Sequence, residues 1–450
     1  MEPQREITRT TGRIQRDHGP TPTAMVRSMR LNGAGGRSIP YDRLKSVNEI
    51  FDVAVVGAGP AGSVAAYAAA TRGLRVALID RQVFPRDKPC GDGIGPGAVH
   101  IAQELGLDDI FSDGNPVHKI RVIGPDGSEF HSTIPPIAGK AIQGYVVPRI
   151  HFDKRLFDRA IGVGAHDYSG TKFVGTEISD GCRMVFLQTK DKSQRRIAAH
   201  LVVGADGANS VVRRALEVAP SMRNTTAIAL RAYAKSDAFN ASDSDGPQLL
   251  FAFSRELLPS YAWVFPTNLG TVNIGVGGPL VEIQRRGQNL KHLLAIFVEQ
   301  IRSQGITLEE LCAQRAHHLP HFAGIPKLAH PRAALIGDAA SMINPVSGEG
   351  IAYGMTAAAS LVENLPTEVG DGTALASALI QFEQEFRRTY RMHIASSITV
   401  HRLMHSPHLT TIFIRSARRD PVVLRDAIEM LFGFGRVRVL TSVRALRSGW

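Results

Sequence analysis

FDVAVVGAGPAGSVAAYAAATRGLRVALID, residues Phe51 to Asp80, is the stretch whose reading decides the fold. Val53 to Val56 is a short all-apolar run, the pattern of a strand buried on both faces of a parallel sheet. Gly57, Gly59 and Gly62 follow at the spacing G-x-G-x-x-G, then an alanine-rich helix, and Leu74 to Ile79 supplies a second strand that ends at Asp80. In such a βαβ unit the first glycine allows a tight turn, the second lets the backbone approach a pyrophosphate, and the third lets the helix pack on its strand. The helix start, with Pro60 and Ala61, points free amides at the phosphates. Asp80, followed by Arg81, is placed to accept the ribose hydroxyls of an adenine dinucleotide. The apolar stretch is near the length of a membrane span, but three glycines and a proline at its start, and Arg72 before another strand, argue against one.

The rest of the composition sets limits. The chain has 450 residues, enough for two domains or one elaborate one, and a formal net charge of +11. That surplus sits at the ends. Residues 1–48 carry nine basic and four acidic residues, and residues 401–450 carry nine arginines and three acids, so the body between is neutral. No basic face with interleaved aromatics appears in that body, which excludes nucleic acid as a partner. Cys90, Cys182 and Cys312 are scattered without metal-ligand spacing, so no metal is expected, and a sparse odd set fits a reducing, cytoplasmic compartment. Residues 1–48 lack hydrophobic periodicity and read as a disordered basic tail. Its acidic residues and few serines count against a transit peptide.

Two further glycine turns follow buried strands. Leu201 to Val203 leads into Gly204 to Asn209, with Asp206, and a short helix from Ser210 to Leu216. Ala333 to Ile336 leads into Gly337-Asp338, then Pro345, Gly348, Glu349 and Gly350, and a small-residue helix from Ile351 to Leu365. Asp206 and Asp338 are placed to bind ribose or ribityl hydroxyls. The amides of Gly348 to Ile351 aim a helix N-terminus at a flavin, whose reduced anion that partial charge stabilises. Between the first two turns, the loop Arg86 to Gly97, with Cys90, Gly91 and Asp92, is glycine-rich enough to pass close to a ligand. Arg149 stands at the head of a helix with the apolar spacing Phe152, Leu156, Phe157, Ala160 and Ile161.

GAGPAG, GADGANSVVRR and GDAASMINPVSGEGI, in this order, resemble the FAD-dependent reductase and aromatic hydroxylase superfamily from about Phe51 to Leu365. KPCGDGIGPGAV, Lys88 to Val99, and YAWVFP, Tyr261 to Pro266, with Gly275 and Gly277 beyond, are similar to motifs of its geranylgeranyl reductase family. The resemblance implies an α/β fold: a Rossmann-type FAD-binding domain, an interleaved antiparallel-sheet substrate domain and a C-terminal helical region. The boundaries expected are 51–116, 145–215 and 325–366 for the first, 117–144 and 216–324 for the second, and 367–450 for the third.

It also implies FAD, reduced by NADPH or another electron donor, and hydride transfer from the flavin to a carbon–carbon double bond of a prenyl substrate. Cys90 matches the family's cysteine near the flavin and is the candidate proton relay. Tyr261 and Trp263, alternating onto one face of a strand with Phe265, are the candidate wall of an apolar substrate cavity. A monooxygenase or halogenase on the same scaffold is the alternative, although Tyr261-Ala262-Trp263-Val264-Phe265-Pro266 departs from the halogenase W-x-W-x-I-P. An escort protein that has lost its flavin is opposed by the intact glycines and Asp80 and Asp338. Helical periodicity is expected over Leu280 to Gln304, Thr307 to Gln314 and Ala374 to Met404. Amphipathic helices among the terminal arginines suit a helical cap or a peripheral contact with an anionic membrane.

Overall fold

The computed structural model describes residues 49–134, 143–219, 225–236, 247–268, 270–433 and 444. The expected tail at 1–48 lies outside them, as do residues 434–443 and 445–450 of the arginine-rich end.

The four apolar runs read from the sequence become neighbours in one eight-stranded sheet. Ile50–Val56 pairs in parallel with Val76–Asp80 on one side, Val53 beside Val76, and with Gln194–Gly204 on the other, Val53 beside Leu201. Ala333–Leu335 joins in parallel beyond Gln194–Gly204, and His166–Ser169 beyond Val76–Asp80. All three glycine turns therefore leave adjacent strands at their C-terminal ends, where open α/β sheets hold ligands. The fold class is the one expected, α/β with a Rossmann-type centre. Helix Pro60–Thr71, rich in alanine, crosses helix Ile351–Asn364 closely: a Cβ added to Gly354 would lie 3.0 Å from the Ala61 Cβ and 3.4 Å from the Gly337 Cα.

A second sheet of seven strands runs in the order Glu309–Pro320, Thr226–Lys235, Thr271–Pro279, Tyr261–Pro266, Gln248–Ala252, Lys119–Ile123 and Glu129–Thr133. The last two form an antiparallel hairpin around the turn Pro125 to Gly127, the reading that the alternation of apolar and polar residues over 117–147 supports. Gly144–Val146 instead joins a small sheet with Gly93–Ile94 and Asn115–Val117.

One expectation fails here. Thr307 to Gln314 is not a helix: from Glu309 it belongs to the edge strand Glu309–Pro320, antiparallel to Thr226–Lys235. The ladder to that distant partner outweighs a short helical pattern. Charged residues along the strand, Glu309, Glu310 and Arg315, keep the open edge from pairing further.

The C-terminal region is helical, with Gly372–Leu403 started by the Asp371 carboxylate, which accepts the Thr373 and Ala374 amides. Pro407–Arg419 and Pro421–Leu431 bury Ile414, Val423 and Ile428 in the core that holds Phe251, Trp263 and Phe265. The helical end thus caps the aromatic face of the second sheet. Among the described residues no helix is long and apolar enough to cross a membrane.

Candidate functional site

The first glycine turn shows why its spacing matters. Gly57 has φ +99°, and a Cβ there would lie 2.3 Å from the Ala205 carbonyl oxygen, so the first and second glycine turns touch backbone to backbone. A Cβ on Gly59 would meet nothing closer than Arg86 at 3.6 Å, which leaves the backbone open to a ligand. The Asp80 carboxylate accepts the Ala58 and Gln82 amides, both at 2.9 Å, and so ties the end of its strand to the turn.

Two cavities join along this edge. A cleft of about 500 Å³ is lined by Gly57, Asp80, Arg81 and Asp206, and a cavity of about 210 Å³ runs on beneath the second sheet. They share Gly59, Lys88, Pro89, Ala205, Gly207 and His317. The second cavity takes in Pro60, Ala61, Cys90, Gly91 and Arg149 on one side, and Gly337, Asp338, Pro345, Gly348, Gly350 and Ile351 on another. Tyr261 and Trp263 form its wall with Phe265. Of the candidates named from the sequence, only Gly62 and Asp92 line neither cavity. Gly62 works by absence, since a Cβ there would lie 1.8 Å from the Gly57 carbonyl oxygen.

The carboxylates are used unequally. Asp206 borders the cleft, yet its oxygens accept the Ser210 hydroxyl and the Val211 and Val212 amides at the start of helix Val211–Ala215. Its visible work is to cap that helix. Asp338 is paired with Lys88 at 2.9 Å; burial pushes its carboxyl up, but the Lys88 ammonium holds it below the usual carboxylate range. Arg149, at the head of helix Arg149–Gly162, forms two hydrogen bonds to Asp153, and Arg86 adds a third at 2.8 Å. The Arg149 guanidinium also interacts with the Cys90 thiol.

Asp92 sits behind the Cys90 loop with φ +62° and is fully buried. It accepts the Tyr233 hydroxyl, the Asn273 side-chain amide at 2.8 Å and the Arg149 backbone amide. Asn273 in turn donates to the Cys90 carbonyl at 2.8 Å and accepts the Trp263 indole at 2.9 Å. The loop carrying Cys90 and the wall carrying Trp263 are thus tied to one buried carboxyl. Burial pushes Asp92 up to about 6, against the opposing pull of Tyr233, Asn273 and Arg231. The folded chain therefore keeps a proton that the unfolded chain releases near 3.8. The stabilisation this brings is complete below the unfolded value and is lost as pH rises through about 6. Asp92→Asn is expected to flatten the urea stability of the FAD-bound protein across that window; an unchanged slope would refute the raised ionisation.

Several residues escaped the sequence reading. Arg231 is buried against Asp87 at 2.7 Å and stacks on Tyr233, Cζ 4.5 Å from the ring centre. His317 borders both cavities and Glu349 the second. Lys88 and Glu349 each lie within a quoted motif, which was the available signal, but neither was given a role there. Asn273 and Arg231 are single polar residues within apolar strands, a pattern that marks a buried network only once the partners are known.

The cradle, the joined cavities and the helix N-terminus at Ile351 fit an extended dinucleotide. The family described as FAD binding domain matches residues 51–396. The chain belongs to the FAD-binding flavoproteins. It is 35% identical over 318 residues to a menaquinone reductase of Mycobacterium tuberculosis, a match covering 69% of this chain and 75% of that one. A digeranylgeranylglycerophospholipid reductase of Methanosarcina acetivorans is 28% identical over 79% of this flavoprotein and 84% of its own length. Among solved structures, a geranylgeranyl bacteriochlorophyll reductase-like protein of Thermoplasma acidophilum superimposes with a TM-score of 0.71 over 89% of this chain and 97% of its own, at 22% identity, a likeness of fold. The geranylgeranyl reductase resemblance and the assignment as an FAD-dependent oxidoreductase both stand.

Proposed function

We propose that this flavoprotein reduces carbon–carbon double bonds in the prenyl chain of a lipid or quinone. The observation that carries the reading is the continuity of the cavity: its one end is the glycine cradle, and its other is walled by Phe251, Trp263, Phe265, Met404, Leu431 and Phe432. Such a wall holds a polyene chain by burial and excludes water, and it offers a polar substrate little. The three glycine turns with Asp80 and Asp338 would hold FAD, which when bound would supply hydride chemistry, with NADPH or another donor as its reductant. The amides at Gly350 and Ile351 favour negative charge at the flavin ring. Tyr261, whose hydroxyl donates to the Ser347 carbonyl, fixes the wall to the loop before those amides. Trp263, held by Asn273, sets how near a chain can come. Cys90 lines the same cavity in the loop ahead of helix Pro96–Glu104.

The helices that close the cavity also give the substrate a route. Leu403 and Leu409 are exposed and the exposed Arg402 adjoins Leu403 in the chain, a surface suited to an anionic membrane at which prenyl lipids reside. In this reading the protein works in the cytoplasm at the membrane surface.

The test is anaerobic. FAD-bound protein is reduced and mixed with geranylgeranyl diphosphate or a prenylated quinone without oxygen, and flavin absorbance is followed. Reoxidation coupled to loss of an alkene supports the reading. Reoxidation only on admitting oxygen transfers the protein to the oxygenases or halogenases.

A further inference from the structure

Glu349 lies between Gly348 and Gly350, just before helix Ile351–Asn364, and lines the cavity. One carboxyl oxygen accepts the Ala352 amide at 2.7 Å. The other is shut off from solvent and has no hydrogen-bond partner. An ionised carboxylate with a dry, unsatisfied oxygen is costly, whereas a carboxylic acid can place its hydroxyl there and keep its proton. The groups facing it do not offset that cost. Asp338 repels its charge, Tyr353 and Tyr390 approach from helices Ile351–Asn364 and Gly372–Leu403, and only the amides of Ala352 and Ile351 favour ionisation. Burial and Asp338 together push the carboxyl up to about 7. Among the described residues no cation pairs with it.

Apart from the Cys90 thiol, which the experiment below tests directly, the other proton-bearing groups named around the cavity are committed or in the wrong state. Lys88, Arg149 and Arg231 are paired with Asp338, Asp153 and Asp87. His317, His321 and His401 are pushed down by burial to about 4, 3 and 4, and so are uncharged near neutrality. Tyr261 spends its hydroxyl hydrogen on the Ser347 carbonyl.

We propose that Glu349 is the proton source of the reduction, an assignment that rests on the double-bond reading above. Hydride from the reduced cofactor forms a C–H bond at one alkene carbon. The π pair takes the carboxyl proton of Glu349 to form the second C–H bond. The alkene is reduced, the cofactor oxidised, and the carboxylate left behind takes up one proton from water that enters the cavity once the product has left.

The experiment uses the FAD-bound holoenzyme, reduced anaerobically and mixed with geranylgeranyl diphosphate over a range of pH, for wild type, Glu349→Gln and Cys90→Ser. Glu349→Gln is expected to retain FAD and its melting temperature, to slow flavin reoxidation by the alkene on the order of 10²-fold, and to lose the pH break near neutrality. Cys90→Ser should keep that break. Independently of turnover, infrared spectra of the protein should show a protonated carboxyl band that titrates near neutrality in wild type and is missing from Glu349→Gln. Should the glutamine release FAD, Glu349→Asp, which withdraws the acid by one methylene, carries the same comparison. An unchanged rate and pH break in the variant overturns the assignment to Glu349 alone. A wild-type enzyme that the alkene does not reoxidise overturns the double-bond reading and this assignment with it.

Discussion

Gly62→Ala is expected to yield a protein that elutes without FAD and melts far below wild type. The added Cβ would stand 1.8 Å from the Gly57 carbonyl oxygen, 3.0 Å from its carbon and 3.2 Å from the Ala205 Cβ. Two of those atoms are backbone of the turn that receives the pyrophosphate, so no flexible side chain can yield. Gly57 has little room on its Ala205 side, where a Cβ would lie 2.3 Å from the Ala205 carbonyl oxygen. The helix Pro60–Thr71 must then retreat from its strand, and its contacts with Ile351–Asn364 and Arg149–Gly162 loosen together. Overpacking costs about 1–3 kcal/mol where side chains adjust, and a backbone collision lies at or above that range. The control is Gly162→Ala, at a helical glycine with no atom within 4 Å of the added carbon, which should leave FAD and melting unchanged or slightly improved. Flavin absorbance after gel filtration and a thermal melt decide it. A Gly62→Ala protein with full FAD content would refute the close-packing account.

Removing Arg149 should be nearly as damaging, for an electrostatic reason. Arg149 is 2% exposed and Asp153 fully buried, joined by hydrogen bonds of 2.5 and 2.7 Å. Arg149→Met leaves a buried carboxylate with Arg86 alone, and breaking such a pair from one side costs about 3–5 kcal/mol. The double variant Arg149→Met/Asp153→Leu should recover much of the loss, since the stranded charge is then gone. Denaturant unfolding of the single and double variants measures this; a double variant no better than the single would show that Arg149 acts through packing alone. A pH signature accompanies it. Burial pushes Asp153 up, but Arg149 and Arg86 hold it below the usual carboxylate range. Its contribution is therefore present above 3.8 and is lost as pH falls through the folded value. Arg149→Met should lose that acid-side dependence.

The sequence by itself determined the parts of this protein whose physics is local. A glycine turn after an all-apolar run needs only its own residues to be a turn. Repeated at Gly57, Gly204 and Gly337, it marked three buried strands each ending in a glycine turn, and the fold sets those three side by side in one sheet. The alternation of Tyr261, Trp263 and Phe265 likewise placed three aromatics on one wall. What tertiary structure alone decided depends on partners remote in the chain. Glu309–Pro320 is a strand because Thr226–Lys235 pairs with it. Lys88 finds Asp338 across 250 residues and Arg231 finds Asp87 across 144, while Asn273 ties the Cys90 loop to Trp263. Glu349 looked like punctuation between two glycines. Whether a carboxyl keeps its proton is set by the dielectric and the donors around it, and only the folded chain brings those together.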